Sequence, residues 1–161
     1  MIIKIFIFLL SNFLNAQSID LSIEKNISRI KNNFSYFPSD SFVVSKGKEK
    51  NDYRIRMDIK NDLNKEITAL VIKYSFKLNL RKNGRSIQTI SIFTSSIRVS
   101  DIKAGQSKIV YIYETKNIFS EIKKVMSAGY EIVDVVFDIM VEPKKDIDIF
   151  VYSKTFPVKV E

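Results

Sequence analysis

The sequence predicts a mainly β protein: one antiparallel, immunoglobulin-like β-sandwich of about seven strands, with a short helix inserted at about 117–128. Three observations carry this expectation. Apolar residues alternate with polar ones over several long stretches, the two-residue period of a half-buried strand. Asn83-Gly84 sits between two such stretches and is a hairpin signal, because a type I′ turn needs positive φ at both central residues. The strands are not regularly interleaved with helices, which argues against a parallel α/β sheet.

The chain has 161 residues, 45% of them hydrophobic, and a mean hydropathy near zero. That suits one globular domain with a full-sized core. The first stretch, MIIKIFIFLLSNFLNAQS, has a basic Lys4, an apolar run from Ile5 to Leu14 and the small Ala16. This is signal-peptide anatomy, with cleavage expected after Ala16 and export to the periplasm or beyond. The apolar run is shorter than the roughly 20 residues a spanning helix needs. With residues 1–16 removed, residues 17–161 form the domain. The chain has no Cys, so neither a lipid anchor nor disulfides are available, and the fold must rest on its core in an oxidising compartment.

Residues 18–34 fit two patterns. Ile19, Leu21 and Ile23 alternate like a strand, while Ile19, Ile23, Ile27, Ile30 and Phe34 recur like a helix face. Length favours an N-terminal helix capped by Ser18 or Asp20. Ser35 to Asp40 reads as a loop around Pro38. Tyr53, Ile55, Met57 and Ile59 then alternate with Arg54, Arg56, Asp58 and Lys60, a strand with one face buried. After the turn Asn61–Lys65, Leu70, Ile72, Tyr74, Phe76, Leu78 and Leu80 form the inner face of a long strand. Ile67 and Ala69 have the opposite parity, so a bulge or register shift is expected near Ala69.

The return strand from Ile87 to Val99 slips parity near Gln88. Residues 104–107 form a turn. Ile109 to Tyr113 is apolar on both faces, which suits a central strand. Phe119, Ile122, Val125 and Met126 have helical spacing, and Gly129 stands where a helix-terminating glycine belongs. Val133, Val135, Phe137, Ile139 and Val141 give a long strand. A turn at Pro143–Asp146 precedes a final stretch that starts at Ile147 and closes with Phe156, Val158 and Val160.

The stretch from Arg54 to Ile87, the turn Ala104-Gly105-Gln106-Ser107 with its following strand, the helix and the strand beginning Tyr130-Glu131 resemble the small sandwich domains of the LEA/WHy and FxLYD types. The shared features are a strand ending in an Asn-containing turn, a long strand, a G-x-x-I hairpin and a tight turn before the next strand. The resemblance covers about residues 53–155 and implies a binding or protective module without catalysis. The Asn-Pro of plant LEA members is replaced here by Asn61-Asp62, and no functional residue carries over.

The residue types exclude much chemistry. Without His there is no usual general base, no Ser-His-Asp triad and no commonest zinc ligand. Without Cys there is no thiol nucleophile. Four single glycines build neither a phosphate loop nor a dinucleotide fingerprint. Asp146 and Asp148 would share a strand face, but two carboxylates at that spacing are a common solvated pattern. Asp58, Asp62, Asn64 and Glu66 surround a turn, yet the glycine of a calcium loop is missing, and turn-forming side chains explain the same letters. The sequons at Asn26 and Asn33 are short patterns that recur by chance. No catalytic residue, metal or cofactor is therefore expected.

Charge is the feature that stands out. From Ile67 to Ser100 there are six basic residues and no acid. Lys73, Lys77 and Arg81 recur every four residues along one strand face, ending at Lys82 and Arg85 on the hairpin tip. A second, diluted cluster comprises Lys46, Lys48, Lys50, Arg54 and Arg56. Asp134, Asp138 and Glu142 repeat every four residues on the late strand. Two outcomes are open. The stripes lie on neighbouring strands and pair, or Lys73, Lys77, Arg81, Lys82 and Arg85 face an anionic partner, with peripheral membrane contact as one form. The expected function is an exported, non-catalytic cell-envelope interaction module. The alternatives are a carrier of a small apolar ligand under Phe76, Leu78, Phe137 and Ile139, or a structural subunit pairing through sheet edges. Nucleic acid is not an expected partner, since the chain lacks recognised motifs and free base-stacking aromatics.

Overall fold

A computed structural model describes residues 17–28, 34–45, 52–85, 87–142 and 150–161. The expected signal peptide, the Lys46–Lys50 cluster, and Asp146 and Asp148 lie outside the described residues. Nine strands and one helix are present among them. In chain order the strands are β1 (Gln17–Asn26), β2 (Tyr36–Ser39), β3 (Phe42–Val44), β4 (Tyr53–Asn61), β5 (Ile67–Arg81), β6 (Gln88–Ile102) and β7 (Ser107–Ile112). The helix α1 (Thr115–Ser127) follows, then β8 (Glu131–Val141) and β9 (Phe150–Val160).

The strands form two sheets, ordered β2-β1-β4-β7 and β3-β9-β8-β5-β6. Every pairing is antiparallel except β3 with β9. The inner faces meet in one apolar cluster, so the protein is a mainly β, sandwich-like fold, as the alternation predicts. Phe76 and Phe137, directly opposite on β5 and β8, are fully buried with ring centroids 4.7 Å apart.

Residues 17–26 are a strand, not the N-terminal helix that length favoured. Ile19, Leu21 and Ile23 are buried, whereas Ile27 and Phe34, the later members of the helical pattern, are 56% and 64% exposed. The inner face of β4 needs a neighbour, and β1 supplies nine paired residues, from Gln17 opposite Asn61 to Lys25 opposite Tyr53. Long-range pairing overrides the helical register. The expected loop at Ser35–Asp40 contains edge strand β2, where Pro38 is tolerated because an edge leaves one side unbonded. The run Ile109–Tyr113 does not lie in a central strand: β7 is an edge, and its second apolar face is open to solvent.

The parity slips also have positions of their own. No register shift occurs near Ala69, where Ile67, Ala69 and Leu70 face Ile102, Ser100 and Val99 in sequence. The shift lies farther along: Phe76 faces Phe93 and Lys77 faces Ser91, which leaves Ile92 as the extra residue of a bulge. A second shift, between Asn79 and Leu80, leaves Val133 as an extra residue of β8, so Ile132, and not Val133 as its spacing suggested, is buried next to Val135.

Asn83 and Gly84 have φ of 51° and 68°, and the Arg85 amide donates to the Lys82 carbonyl at 3.0 Å, closing the expected hairpin turn. Helix α1 begins two residues before its expected start and buries Ile118, Phe119 and Ile122. Phe119 stacks on Tyr53 and meets Phe42 edge-on, which seals one end of the sandwich. Gly129, with φ of 81°, lets the Tyr130 amide return to the Val125 carbonyl at 3.1 Å and end the helix.

At the other end, fully buried Asn61 joins three segments. Its side-chain amide donates to the carbonyls of Lys65 at 2.9 Å and Ile102 at 2.8 Å, and its side-chain oxygen accepts from the Leu63 amide at 3.0 Å. Its backbone exchanges bonds with Gln106 and Gly105. The Asn that ends β4 therefore fixes where β5 starts and where β6 and the following turn pass.

Candidate interaction surfaces

Strand alternation places Lys73, Lys77 and Arg81 on the outer face of β5, with β8 beside it. The acidic stripe lies on that neighbour. Lys73 Nζ is 2.7 Å from Glu142 Oε1, and Lys77 Nζ is 2.6 Å from Asp138 Oδ2. Ser153 on β9 donates to the other Asp138 oxygen at 2.6 Å. Asn79 continues the row, donating to Asp134 at 2.7 Å and accepting from Thr89 at 2.6 Å. Partial burial of Asp138 works against its charged form, but the bonds from Lys77 and Ser153 outweigh it and hold its carboxyl below the ordinary range. The middle of the sheet face is thus a satisfied network.

The hairpin tip differs. Arg81 lies opposite Glu131 in register, but among the described residues neither Arg81 nor Arg85 forms an ion pair. Lys82 donates to the Ala128 carbonyl at 3.3 Å, and its ammonium lies 4.6 Å from the centre of the Tyr130 ring. A cation at the C-terminal end of α1 complements the helix dipole. The tip therefore rests on the helix end, with its guanidinium groups unengaged by acids. Of the five basic residues singled out by spacing, the structure brings Arg81, Lys82 and Arg85 to one tip and sets Lys73 and Lys77 into cross-strand pairs.

Sequence reasoning missed a second cluster, on the outer face of the four-stranded sheet. Arg54 is held between two rings, its guanidinium carbon 4.0 Å from the Tyr36 centroid and 3.7 Å from that of Tyr111. It pairs with Glu24 at 2.6 Å, a residue only 6% exposed, and reaches the Tyr113 hydroxyl at 3.4 Å. The Tyr36 hydroxyl donates to Asp52 at 3.1 Å, and Asn26 donates to the same carboxylate at 2.9 Å. Burial, then the Asp52 charge, push the Tyr36 phenol up to about 12. A groove of about 460 Å³ is lined here, among the described residues, by Phe34, Tyr36, Asp52, Arg54, Tyr113 and Lys116. Four separate strands supply the cluster. The available signal was the parity of Tyr111 and Tyr113, which matches the wet face of β4.

The oxygen-bearing residues around the β4–β5 turn are dispersed. Asp58 is bonded by Arg56 at 2.9 Å and Asp62 by Lys60 at 2.6 Å, while Asn64 and Glu66 are exposed. Among the described residues no group of three or more acids gathers as a metal site. No helix among them is long and apolar enough to cross a membrane. No family profile and no curated protein matches the chain. Solved structures similar to it include an Arabidopsis thaliana protein determined in solution, at 14% identity and a TM-score of 0.43, covering 87% of this chain and 77% of that one. A protein from Archaeoglobus fulgidus matches at 12% identity and a TM-score of 0.36, over 88% of this chain and 98% of that one. A β-D-glucoside glucohydrolase from Trichoderma reesei matches at 15% identity and 0.36, over 88% of this chain and 18% of that enzyme.

Proposed function

We propose that this protein is a non-catalytic interaction module of the cell envelope, exported by its N-terminal segment, that meets an anionic partner through the hairpin tip. The observation that carries the reading is the contrast within one basic stripe. Lys73 and Lys77 are matched by Glu142 and Asp138, whereas Arg81 and Arg85 have no such match among the described residues. Arginine forks suit carboxylate and phosphate groups. Lys82, seated on the end of α1, holds the tip against the body of the sandwich. The resemblance to LEA/WHy and FxLYD domains points the same way, toward binding without catalysis. The close contact of the buried Phe76 and Phe137 rings supports a surface role over that of an interior carrier.

Co-sedimentation with anionic and neutral vesicles at low and physiological salt tests this reading. Binding to anionic vesicles alone, weakened by salt and lost in an Arg81→Ala/Lys82→Ala/Arg85→Ala variant, is expected. Equal binding by both proteins, or none, would contradict it.

A further inference from the structure

The outer face of the four-stranded sheet carries a row of rings. Phe34 and Tyr36 stack with centroids 6.4 Å apart and planes 8° from parallel. Tyr36 meets Tyr113 at 6.4 Å, and Tyr113 meets Tyr111 at 6.4 Å. Arg54 occupies the faces of Tyr36 and Tyr111. Phe34 and Tyr113 hold no cation among the described residues and are 64% and 52% exposed. These two rings help to wall the groove of about 460 Å³. That volume is within the range of small-ligand clefts. The charges of the groove are matched with one exception. Arg54 pairs with Glu24, and the Asp52 carboxylate accepts from Asn26 and Tyr36. Lys116, in the first turn of α1, is exposed and forms no ion pair among the described residues. Hydrogen-bonding capacity is also spare. An ionised carboxylate has about four lone-pair sites, and Asn26 and Tyr36 fill one each at Asp52. The Tyr113 hydroxyl accepts from Arg54 at 3.4 Å, and its own proton has no acceptor among the described residues.

Bare ring faces, one free ammonium, a spare acceptor and a spare donor define the complement of this groove. It is a ring with a C–H surface, hydroxyl groups and a carboxylate. We propose that the groove binds a uronic-acid unit of an acidic glycan. Its C–H surface lies against the Phe34 and Tyr113 rings, its carboxylate meets Lys116, and its hydroxyls face Asp52 and the Tyr113 hydroxyl. Aromatic faces carry the negative part of the ring quadrupole and attract C–H groups. An ammonium gives a carboxylate a charge-assisted hydrogen bond. The other candidate ligands use only part of this equipment. An acidic peptide would engage Lys116 and leave the ring faces bare, and a neutral sugar would leave Lys116 unmatched. The groove belongs to the four-stranded sheet and the hairpin tip to the five-stranded one, so this site is independent of the tip.

Calorimetric titration with a trimer of galacturonate tests it, beside the methyl ester of the same trimer and an oligoglutamate of equal charge. The ester keeps the rings and loses the charge, and the peptide does the reverse. The acidic trimer binds, the ester binds about three- to fivefold more weakly, the worth of one exposed charge pair, and the peptide does not bind. Lys116→Ala removes the preference for acid over ester, and Lys116→Arg keeps it. Phe34→Ala weakens the binding of both trimers. Both residues are exposed, and an unchanged far-ultraviolet circular dichroism spectrum confirms that the variants fold. The Arg81→Ala/Lys82→Ala/Arg85→Ala protein binds the trimer as the wild type does, so a failure of the tip reading leaves this one standing. No binding of the acidic trimer, equal binding of trimer and ester, binding of the peptide, or trimer binding untouched by Phe34→Ala or Lys116→Ala would overturn the proposal.

Discussion

Lys77 on β5 and Asp138 on β8 form an ion pair at 2.6 Å although they are not directly opposite: Asp138 faces Ser75, and Lys77 faces Val136. The pair is diagonal, as is the neighbouring pair of Lys73 with Glu142. Equal four-residue spacing on both strands turns one diagonal contact into a row. Such pairs help set register, since a slip of one residue would move each partner to the other face.

A double-mutant cycle with Lys77→Ala and Asp138→Ala, read by denaturant unfolding, is expected to give a coupling of about 0.2–1 kcal/mol, the range for partly exposed pairs. Asp138 has a lowered folded-state pKa, so its contribution is complete above its unfolded value and fades as pH falls through the folded one. The coupling should shrink in acid, and one that persists there would point to packing instead.

Asn61→Leu is expected to be among the most damaging single changes on the surface of the sequence, where the residue looks like an ordinary turn former. The substitution removes the donor to the Ile102 carbonyl, a buried bond, and breaks the part-buried bonds to the Lys65 carbonyl and from the Leu63 amide. Orphaning the buried Ile102 carbonyl alone costs about 1–3 kcal/mol. Chemical denaturation checks this, and a loss below about 1 kcal/mol would mean that water replaces the side chain.

Arg54→Ala leaves the Glu24 carboxylate nearly buried with its main partner gone and removes the cation from between Tyr36 and Tyr111. Breaking a buried pair in this way costs about 3 kcal/mol. A Glu24→Gln/Arg54→Met protein should recover part of that loss, because uncharged partners remove the unpaired charge. Thermal unfolding of the two variants provides the comparison.

Tyr36 should titrate well after an exposed tyrosine. Its folded-state pKa of about 12 lies above the ordinary phenol value of 10.0, so its share of stability is complete below 10.0 and is lost as pH rises toward 12. Ultraviolet titration of the wild type against Tyr36→Phe isolates that phenol. Replacing Asp52 with Asn should bring it back toward its ordinary value, since the Asp52 charge raises it.

The strands with one wet face were legible because alternation alone determines them. β4, β5 from Leu70 and β8 from Val135 follow the expected parities, and the Asn83-Gly84 turn and the Gly129 helix stop have the positive φ that their chemistry needs. The N-terminal strand was not legible, because Ile19 and Ile23 satisfy both periods and only pairing with β4 separates them. The edge position of β7 was hidden for a related reason. Tyr111 and Tyr113 make its outer face look apolar, yet those rings serve Arg54 and remain near solvent. Charge spacing foretold both stripes, but not which cations the acids would take. That depended on β8 being the neighbour of β5, a matter of topology that single-strand patterns do not carry.

In the proposed function the tip of the basic stripe, and not its middle, is the contact surface. Vesicle co-sedimentation of two variants side by side tests it most directly: Arg81→Ala/Arg85→Ala against Lys73→Ala/Lys77→Ala, at low salt on anionic vesicles. The tip variant is expected to lose binding, while the stripe variant, whose cations are already engaged by Glu142 and Asp138, is expected to bind as the wild type does. Equal loss in both would make net charge the cause, and unchanged binding in the tip variant would contradict the claim outright.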